Sequence, residues 1–240
     1  MIAKVVTVVL GVFYSIGLFL ICLYFTCPAF ANYGSTLCKS SAEYHCYRIK
    51  HNETWAKLFP DGNERDLVMR INRMNTKLYP DLTIAIPNSD DTNIMDYSPL
   101  PIHIDPPGAD APGDQLIYIS LQKQAFGAYN SDGNLVYWGP VSGARGYCPD
   151  IHRGCHTPLG HFSILWKEGP GCISSKYPVG EGGSPMPYCM HFHGGYALHG
   201  SYEVPGYNAS HGCVRMFVND ARWLNQEFTE DGNTIVIINP

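Results

Sequence analysis

Apolar positions along this chain fall into three regimes. An uncharged, mostly apolar run extends from Val5 to Thr26, behind Lys4. From Cys46 to Asn88 the pattern changes every ten or so residues. Tyr47 to Lys50 reads as a short strand, and Glu53 to Phe59 as a short helix. Leu67, Ile71 and Met74 recur at helical spacing, which predicts a second helix over Glu64 to Asn75. Thr83 to Pro87 then reads as a strand ended by proline. From Gln115 onward the pattern favours strands. Leu116 to Leu121 alternates weakly, and Ala125 to Tyr129 and Leu135 to Val141 flank a Ser-Asp-Gly-Asn turn, a hairpin signal. His161 to Trp166 is a further strand, and Met190 to His199 another, interrupted at Gly194-Gly195. Asn219 is positioned to cap a helix running to about Phe228, with Gly232 behind it and an apolar strand from Thr234 to Ile238. The fold class predicted is α+β, mostly β.

Between the ordered parts, residues 89–114 hold five prolines, six aspartates and no Lys or Arg. Prolines restrict the backbone and like charges repel, so an extended linker is expected there. The expected division is 1–31 leader or membrane segment, 44–88 first domain, 89–114 linker and 115–240 second domain. The 24 Gly, 18 Pro and 16 Tyr of this 240-residue chain suit many turns and short strands. Only 15% of residues are charged, and 16 Lys plus Arg against 21 Asp plus Glu leaves a formal net charge of −5. That balance offers no phosphate-binding surface and argues against nucleic acid as a partner.

The run over residues 5–26 precedes Pro28-Ala29-Phe30-Ala31, where Ala29 and Ala31 fit a small-x-small cleavage site. This is the layout of an export signal, and the run is also long enough to span a bilayer if retained as an anchor in the inner membrane. Cys22 and Cys27 fall in this targeting segment, residues 1–31. Seven cysteines remain, so in an oxidising compartment six can pair. Six cysteines allow 15 connectivities. Pairing by proximity joins Cys38–Cys46, Cys148–Cys155 and Cys172–Cys189 and leaves Cys213 over.

The stretch "YRIKHNETWAKLFP…LVMRINRMNTKLYPDLTIAIP" resembles a divergent LysM domain, through its Tyr-x-Ile-Lys start, Thr54-Trp55, Asn72 and Asn75, and its Leu-x-Ile-x-Ile-Pro end. The resemblance implies a βααβ unit that binds glycan strands of peptidoglycan. The usual Gly-Asp-Thr opening is Asn52-Glu53-Thr54 here.

The chemistry concentrates in "ALHGSYEVPGYNASHGCVRM". A thiol is a nucleophile only as thiolate, and an imidazole can take its proton and return it to a leaving amine. A glycine beside the nucleophile lets the backbone turn so that N–H groups face an oxyanion. The His-Gly followed by Ser-His-Gly-Cys-Val-Arg resembles the signature of the L,D-transpeptidase catalytic domain. Thr157-Pro158-x-Gly160, Met186-Pro187-Tyr188 and the final Gly232-x-Thr234-x-Val236-x-Ile238 support it. The resemblance implies a thiol-dependent transferase of the cell envelope, in the periplasm. It would take part in peptidoglycan biosynthesis, cell wall organisation and cell shape, and need no cofactor. Its members cleave the bond between the L-centre of meso-diaminopimelate and D-Ala in stem peptides, and carbapenems acylate their cysteine. Residue by residue, Cys213 is the nucleophile and His199 the base, with the Gly200 carbonyl orienting the ring. Ser210 and His211 support the nucleophile, Gly212 and Cys213 supply oxyanion N–H groups, and Arg215 braces the loop or holds a carboxylate. The acceptor amine is left open between a stem peptide, a lipoprotein lysine and water.

Two other readings stay open. The segment between His199 and Ser210 is short compared with many members, which fits a catalytically inactive envelope protein that only binds peptidoglycan. Alternatively, Cys189, His191 and His193 share one strand face, and that thiolate and imidazole spacing suits a zinc hydrolase. Trp138, Trp166 and Trp223 are expected in the core.

Overall fold

The computed structural model describes residues 32–89, 93–105, 115–174, 176, 179–180 and 183–240. The expected leader or anchor, 1–31, lies outside the described residues, as do Cys22 and Cys27. Among the described residues no helix is long and apolar enough to cross a membrane.

The first part of the chain opens with α1 (Tyr33–Ser40), which Asn32 caps by accepting from the Ser35 amide. Strand β1 (Tyr44–Arg48) pairs antiparallel with β2 (Thr83–Pro87). Between them lie α2 (Trp55–Leu58) and α3 (Gly62–Ile71), whose caps Thr54 and Asp61 accept from first-turn amides. The strand begins three residues before the expected Tyr47. Helix α3 stops at Ile71 rather than Asn75, because Arg73 turns left-handed at φ 54°. Trp55, Val68, Met74 and Ile84 form the core of this unit, and the Trp55 indole donates to the Thr76 carbonyl at 2.8 Å. Asn72 ties helix to strand with both ends of its amide, accepting from Ala85 N at 2.8 Å and donating to Ala85 O at 2.7 Å.

The rest is built on one curled mixed sheet. Its strands are β3 (Leu116–Ser120), β4 (Ala125–Tyr129), β5 (Leu135–Ser142), β8 (Gly160–Ser163), β9 (Trp166–Lys167), β10 (Met190–His193), β11 (Tyr196–Gly200), β12 (Val214–Met216) and β13 (Ile235–Asn239). Their order is β8-β13-β3-β4-β5-β12-β11-β10-β9. Only β13 with β3 and β11 with β12 run parallel. A separate short hairpin, β6 (Gly146–Cys148) with β7 (Arg153–Cys155), projects from it. Phe162 on β8 and Phe192 on β10 pack at a tilt with centroids 5.2 Å apart, so the two edge regions meet as the sheet curls around Ile117, Phe126, Leu198, Val214 and Val236.

Three expectations change. The run His161 to Trp166 is not one strand: Ile164 and Leu165 break it, and β8 and β9 lie at opposite ends of the sheet. Met190 to His199 folds back on itself, since Gly194 at φ 51° with Gly195 makes a tight turn between β10 and β11. The last helix, α4 (Val218–Trp223), starts after Phe217, without a side-chain cap from Asn219, and passes into a π turn over Leu224–Phe228. In addition, part of the Pro/Asp-rich stretch is packed against the sheet. Trp138 donates to Ile94 O at 2.5 Å, Tyr129 donates to Pro101 O at 2.8 Å, and Leu100 is buried beside Trp138.

The N-terminal unit docks on the sheet through a buried ion pair. Arg70 of α3 forks onto Asp220 of α4, Nη2 to Oδ1 at 2.7 Å and Nη1 to Oδ2 at 3.0 Å, and Tyr137 donates to Oδ1 at 2.8 Å. Burial opposes the Arg70 charge, but Asp220, Tyr137 and Asp66 outweigh it and hold the guanidinium above its ordinary value. Gly139 makes room, since a Cβ there would sit 2.3 Å from Asp220 Oδ2. Removing one partner leaves a charge buried and unpaired. Asp220→Ala should therefore destabilise the fold by about 3–5 kcal/mol in urea unfolding. Asp81→Asn, which breaks the exposed Arg48–Asp81 pair, should cost less than about 1 kcal/mol.

Candidate active site

The site follows from the parallel pairing of β11 with β12. Leu198 pairs with Val214 and His199 with Arg215. Side chains alternate across a strand, so Leu198 and Val214 enter the core while His199, Cys213 and Arg215 take the other face. That face lines a cavity of about 560 Å³, into which His199, Ser210, Gly212, Cys213 and Arg215 all contribute.

The turn before β12 is held from several sides. Ser210 N donates to Gly143 O at 2.8 Å, and Ser210 Oγ donates to the Cys213 carbonyl at 2.5 Å. Gly212 adopts φ 151°, and a Cβ there would lie 2.3 Å from the Tyr196 ring. Only glycine lets the chain pass under Tyr196 and present the next residue. Cys213 is partly buried and is the one free cysteine among the described residues. The other six lie in pairs at disulfide distance, with Cα separations of 5.6 Å for Cys38 and Cys46, 5.8 Å for Cys148 and Cys155, and 6.1 Å for Cys172 and Cys189.

The electrostatics favour a neutral resting pair. His199 is buried, and burial lowers its pKa to about 4, against a smaller opposing effect of the Gly200 carbonyl. Nδ1 lies 2.9 Å from Gly200 O, so the neutral ring carries its proton on Nδ1 and leaves Nε2 as the acceptor. Burial likewise pushes the Cys213 thiol up, opposed by the Ala197 backbone and by Arg215. A neutral imidazole that lines the same cavity as a neutral thiol has the chemistry of a general base toward it.

The other residues expected at the site take particular roles. His211 Nε2 meets Asp150 Oδ2 at 2.6 Å, linking the turn before Cys213 to the β6–β7 hairpin. Arg215 donates to Glu203 O at 3.3 Å and lies 3.7 Å from its carboxylate, which braces the 201–206 segment. The Gly212 N–H is already engaged, donating to Ser210 Oγ at 3.0 Å. In this geometry that N–H is turned to the serine hydroxyl. The set Cys189, His191 and His193 is not assembled either. Cys189 lies at bonding distance from Cys172, and His191 stacks on Trp166 at 4.2 Å. His193, past a bulge, packs on Phe162. Among the described residues, ligand-type atoms gather at Glu168, Cys172, Cys189 and His191 and at Cys148, Asp150 and His211, and in both groups the sulfurs lie at bonding distance from another sulfur, which leaves them no thiolate to offer. Trp166 is partly exposed on this edge rather than in the core, while Trp138 is buried.

Sequence reasoning missed Asp150 and Tyr196, which touch the turn before Cys213, and Arg153 and Lys176, which line the cavity. None belongs to a motif, and all four stand 17 to 63 positions from Cys213. The signal that could have found Asp150 and Arg153 is the short Cys148–Cys155 loop that carries them.

The depressed His199 pKa has a consequence for stability. The unfolded chain binds a proton at this ring near pH 6.5, while the folded chain refuses it until about pH 4. Stability from this group is present above the unfolded value and is lost as pH falls between the two, by about 3 kcal/mol at the limit. Unfolding free energy measured from pH 7 to pH 4 should fall more steeply for the wild type than for His199→Gln.

Known proteins supply the remaining comparison. The family model for the YkuD L,D-transpeptidase catalytic domain matches residues 114–238. No curated protein matches the chain. Similar solved structures include an L,D-transpeptidase from Xylanimonas cellulosilytica, at 23% identity and TM-score 0.49, covering 74% of this chain and 79% of that one. An L,D-transpeptidase from Mycobacterium smegmatis aligns at 19% identity and TM-score 0.42, over 53% of this chain and 59% of that one. One from Stackebrandtia nassauensis aligns at 25% identity and TM-score 0.43, over 54% and 57%. The chain thus spans less than two thirds of the latter two. The matched model covers more than half of the chain and contains the cavity with its cysteine and buried histidine, and the chain belongs to the YkuD L,D-transpeptidase family of acyltransferases.

Proposed function

We propose that the chain transfers acyl groups from peptidoglycan stem peptides through a thioester on Cys213. The observation that carries this reading is the placement of a free cysteine and a buried neutral histidine on one face of two adjacent parallel strands, lining one cavity. The Cys213 sulfur attacks the carbonyl of the L-centre of meso-diaminopimelate. His199 Nε2 takes the thiol proton and gives it to the departing D-Ala amine as the C–N bond breaks. An amine acceptor then attacks the thioester, His199 takes its proton, and the thiol is restored. The Cys213 N–H is the backbone donor to the oxyanion formed in both steps. Acceptor choice separates cross-linking from attachment of a lipoprotein lysine and from hydrolysis to a trimmed peptide.

The first 31 residues export the chain, and the three cysteine pairs close as disulfides in the periplasm. The 44–88 unit, with its strand-helix-helix-strand order and buried Trp55, holds the enzyme on glycan strands in the manner of a LysM domain. An inactive envelope protein is disfavoured by the buried, oriented His199, which a binding module has no need to keep neutral.

A carbapenem should add one mass equivalent to the folded, reduced protein, located at Cys213 by peptide mapping, and none to Cys213→Ala. His199→Gln should slow that acylation about 10²- to 10⁴-fold, the usual contribution of a positioned base. Gly212→Ala should slow it as well, by forcing Tyr196 aside. Muropeptide profiles of cells carrying the wild type or Cys213→Ala identify the acceptor. Identical profiles, with no adduct on the wild type, would sink the enzymatic reading.

A further inference from the structure

The chain is acidic, with 21 Asp plus Glu against 16 Lys plus Arg, yet its cavity has the opposite character. Among the described residues that line it, Arg153, Lys176 and Arg215 are basic and none is acidic. Arg215 is drawn towards Glu203. The other two come from loops that close on themselves. Arg153 stands on β7, opposite Cys148 in the register of the β6–β7 hairpin, whose ends Cys148 and Cys155 lie at disulfide distance. Lys176 stands between Cys172 and Cys189, also at disulfide distance. The β6–β7 hairpin is short, with its two cysteines seven positions apart, so it loses little further freedom when a ligand binds and the charge of Arg153 on it is pre-organised.

A meso-diaminopimelate residue joined to Cys213 through its L-centre still carries the carboxylate of its D-centre, at the far end of a chain of three methylenes. The cavity of about 560 Å³ has room for that arm beside the nucleophile. A guanidinium presents a planar fork that matches a carboxylate, and an ammonium adds a point charge. We propose that Arg153, assisted by Lys176, is a specificity residue that holds the free D-centre carboxylate of the donor stem peptide. This rests on the stem-peptide reading above. It adds which substrate is accepted: stem peptides with an unmodified diaminopimelate arm are preferred over those amidated at that position, or those with lysine in its place.

Binding separates this inference from the chemistry. The full chain carrying Cys213→Ala is titrated with two synthetic tetrapeptides that differ only in a free or an amidated D-centre carboxylate. The free acid should bind about tenfold more tightly, the scale of one charge-assisted contact. Adding Arg153→Gln should bring the two peptides within about twofold of each other, chiefly by weakening the free acid, and Arg153→Lys should keep part of the difference. Adding Lys176→Gln should give a smaller loss. Equal binding of the two peptides to the parent, or a preference that survives in the Arg153→Gln, Lys176→Gln double variant, overturns the proposal. Should the Gln variants not fold, ionic strength decides with the parent alone. The preference should shrink between about 0.05 M and about 0.5 M salt as the charges are screened, and a preference insensitive to salt also overturns it. Failure of both peptides to bind the parent at all, together with no carbapenem adduct on the wild type, marks failure of the stem-peptide reading. Binding of both peptides without discrimination marks failure of this inference alone.

Discussion

The parallel pairing of β11 with β12 is the constraint on which the site depends. It sets His199 against Arg215 and Leu198 against Val214, so one face of the pair is sealed into the core while the other faces the cavity. A register slip of one residue would turn the histidine and cysteine into the core and expose Leu198 and Val214. Apolar burial therefore enforces the alignment that the chemistry needs. Parallel neighbours require a crossover, and residues 201–213 provide it by looping out and returning through Gly212. The glycine is where that return is tightest, with Tyr196 closing over it.

The N-terminal unit is bound to this arrangement more closely than a tethered module would be. The Arg70–Asp220 pair anchors α3 to α4, which directly follows β12. Asn75 reaches the crossover itself, donating to Ser201 O at 2.8 Å and accepting from Val204 N at 2.9 Å. Glu203, between those two contacts, meets the cavity-lining Arg215. A continuous set of contacts thus runs from the end of α3 to the active-site face. Arg73 adds to the seam without any carboxylate. Its guanidinium lies 4.5 Å from the Tyr33 ring and 4.7 Å from the Trp138 ring, and it donates to carbonyls at the end of α3.

Burial also shapes the chemistry. The same enclosure that keeps His199 neutral raises the Cys213 thiol, so neither carries charge before a substrate arrives. The cysteine-closed loops around the cavity stand apart from that pair. They carry Asp150, which meets His211, and two of the basic residues that line the cavity, Arg153 and Lys176. The cysteine and histidine on the buried strands are thereby set apart from the basic groups on the loops.

Local order was legible in the sequence wherever a short-range pattern decided it. The βααβ order of 44–88 shows in its alternating and helical periods, and the β4–β5 hairpin in its Asp-Gly turn. Cys213 and His199 show in a motif of fifteen residues, because the crossover between them is short. Proximity along the chain also anticipated which cysteines would lie together, since closing a small loop restricts the chain least. What alternation cannot carry is the partner of a strand. It could not separate β8 from β9, or reveal that β10 and β11 fold back on each other. It could not join Arg70 to Asp220 across 150 residues. Nor could it show that Ser210 occupies the Gly212 amide, because that depends on the angle at which the turn enters β12. The sequence by itself determined which residue types carry the chemistry and the local elements that hold them. Only the tertiary structure decided which of those groups share a cavity and what burial does to their protons, because both depend on long-range packing, for which a linear pattern holds no distance.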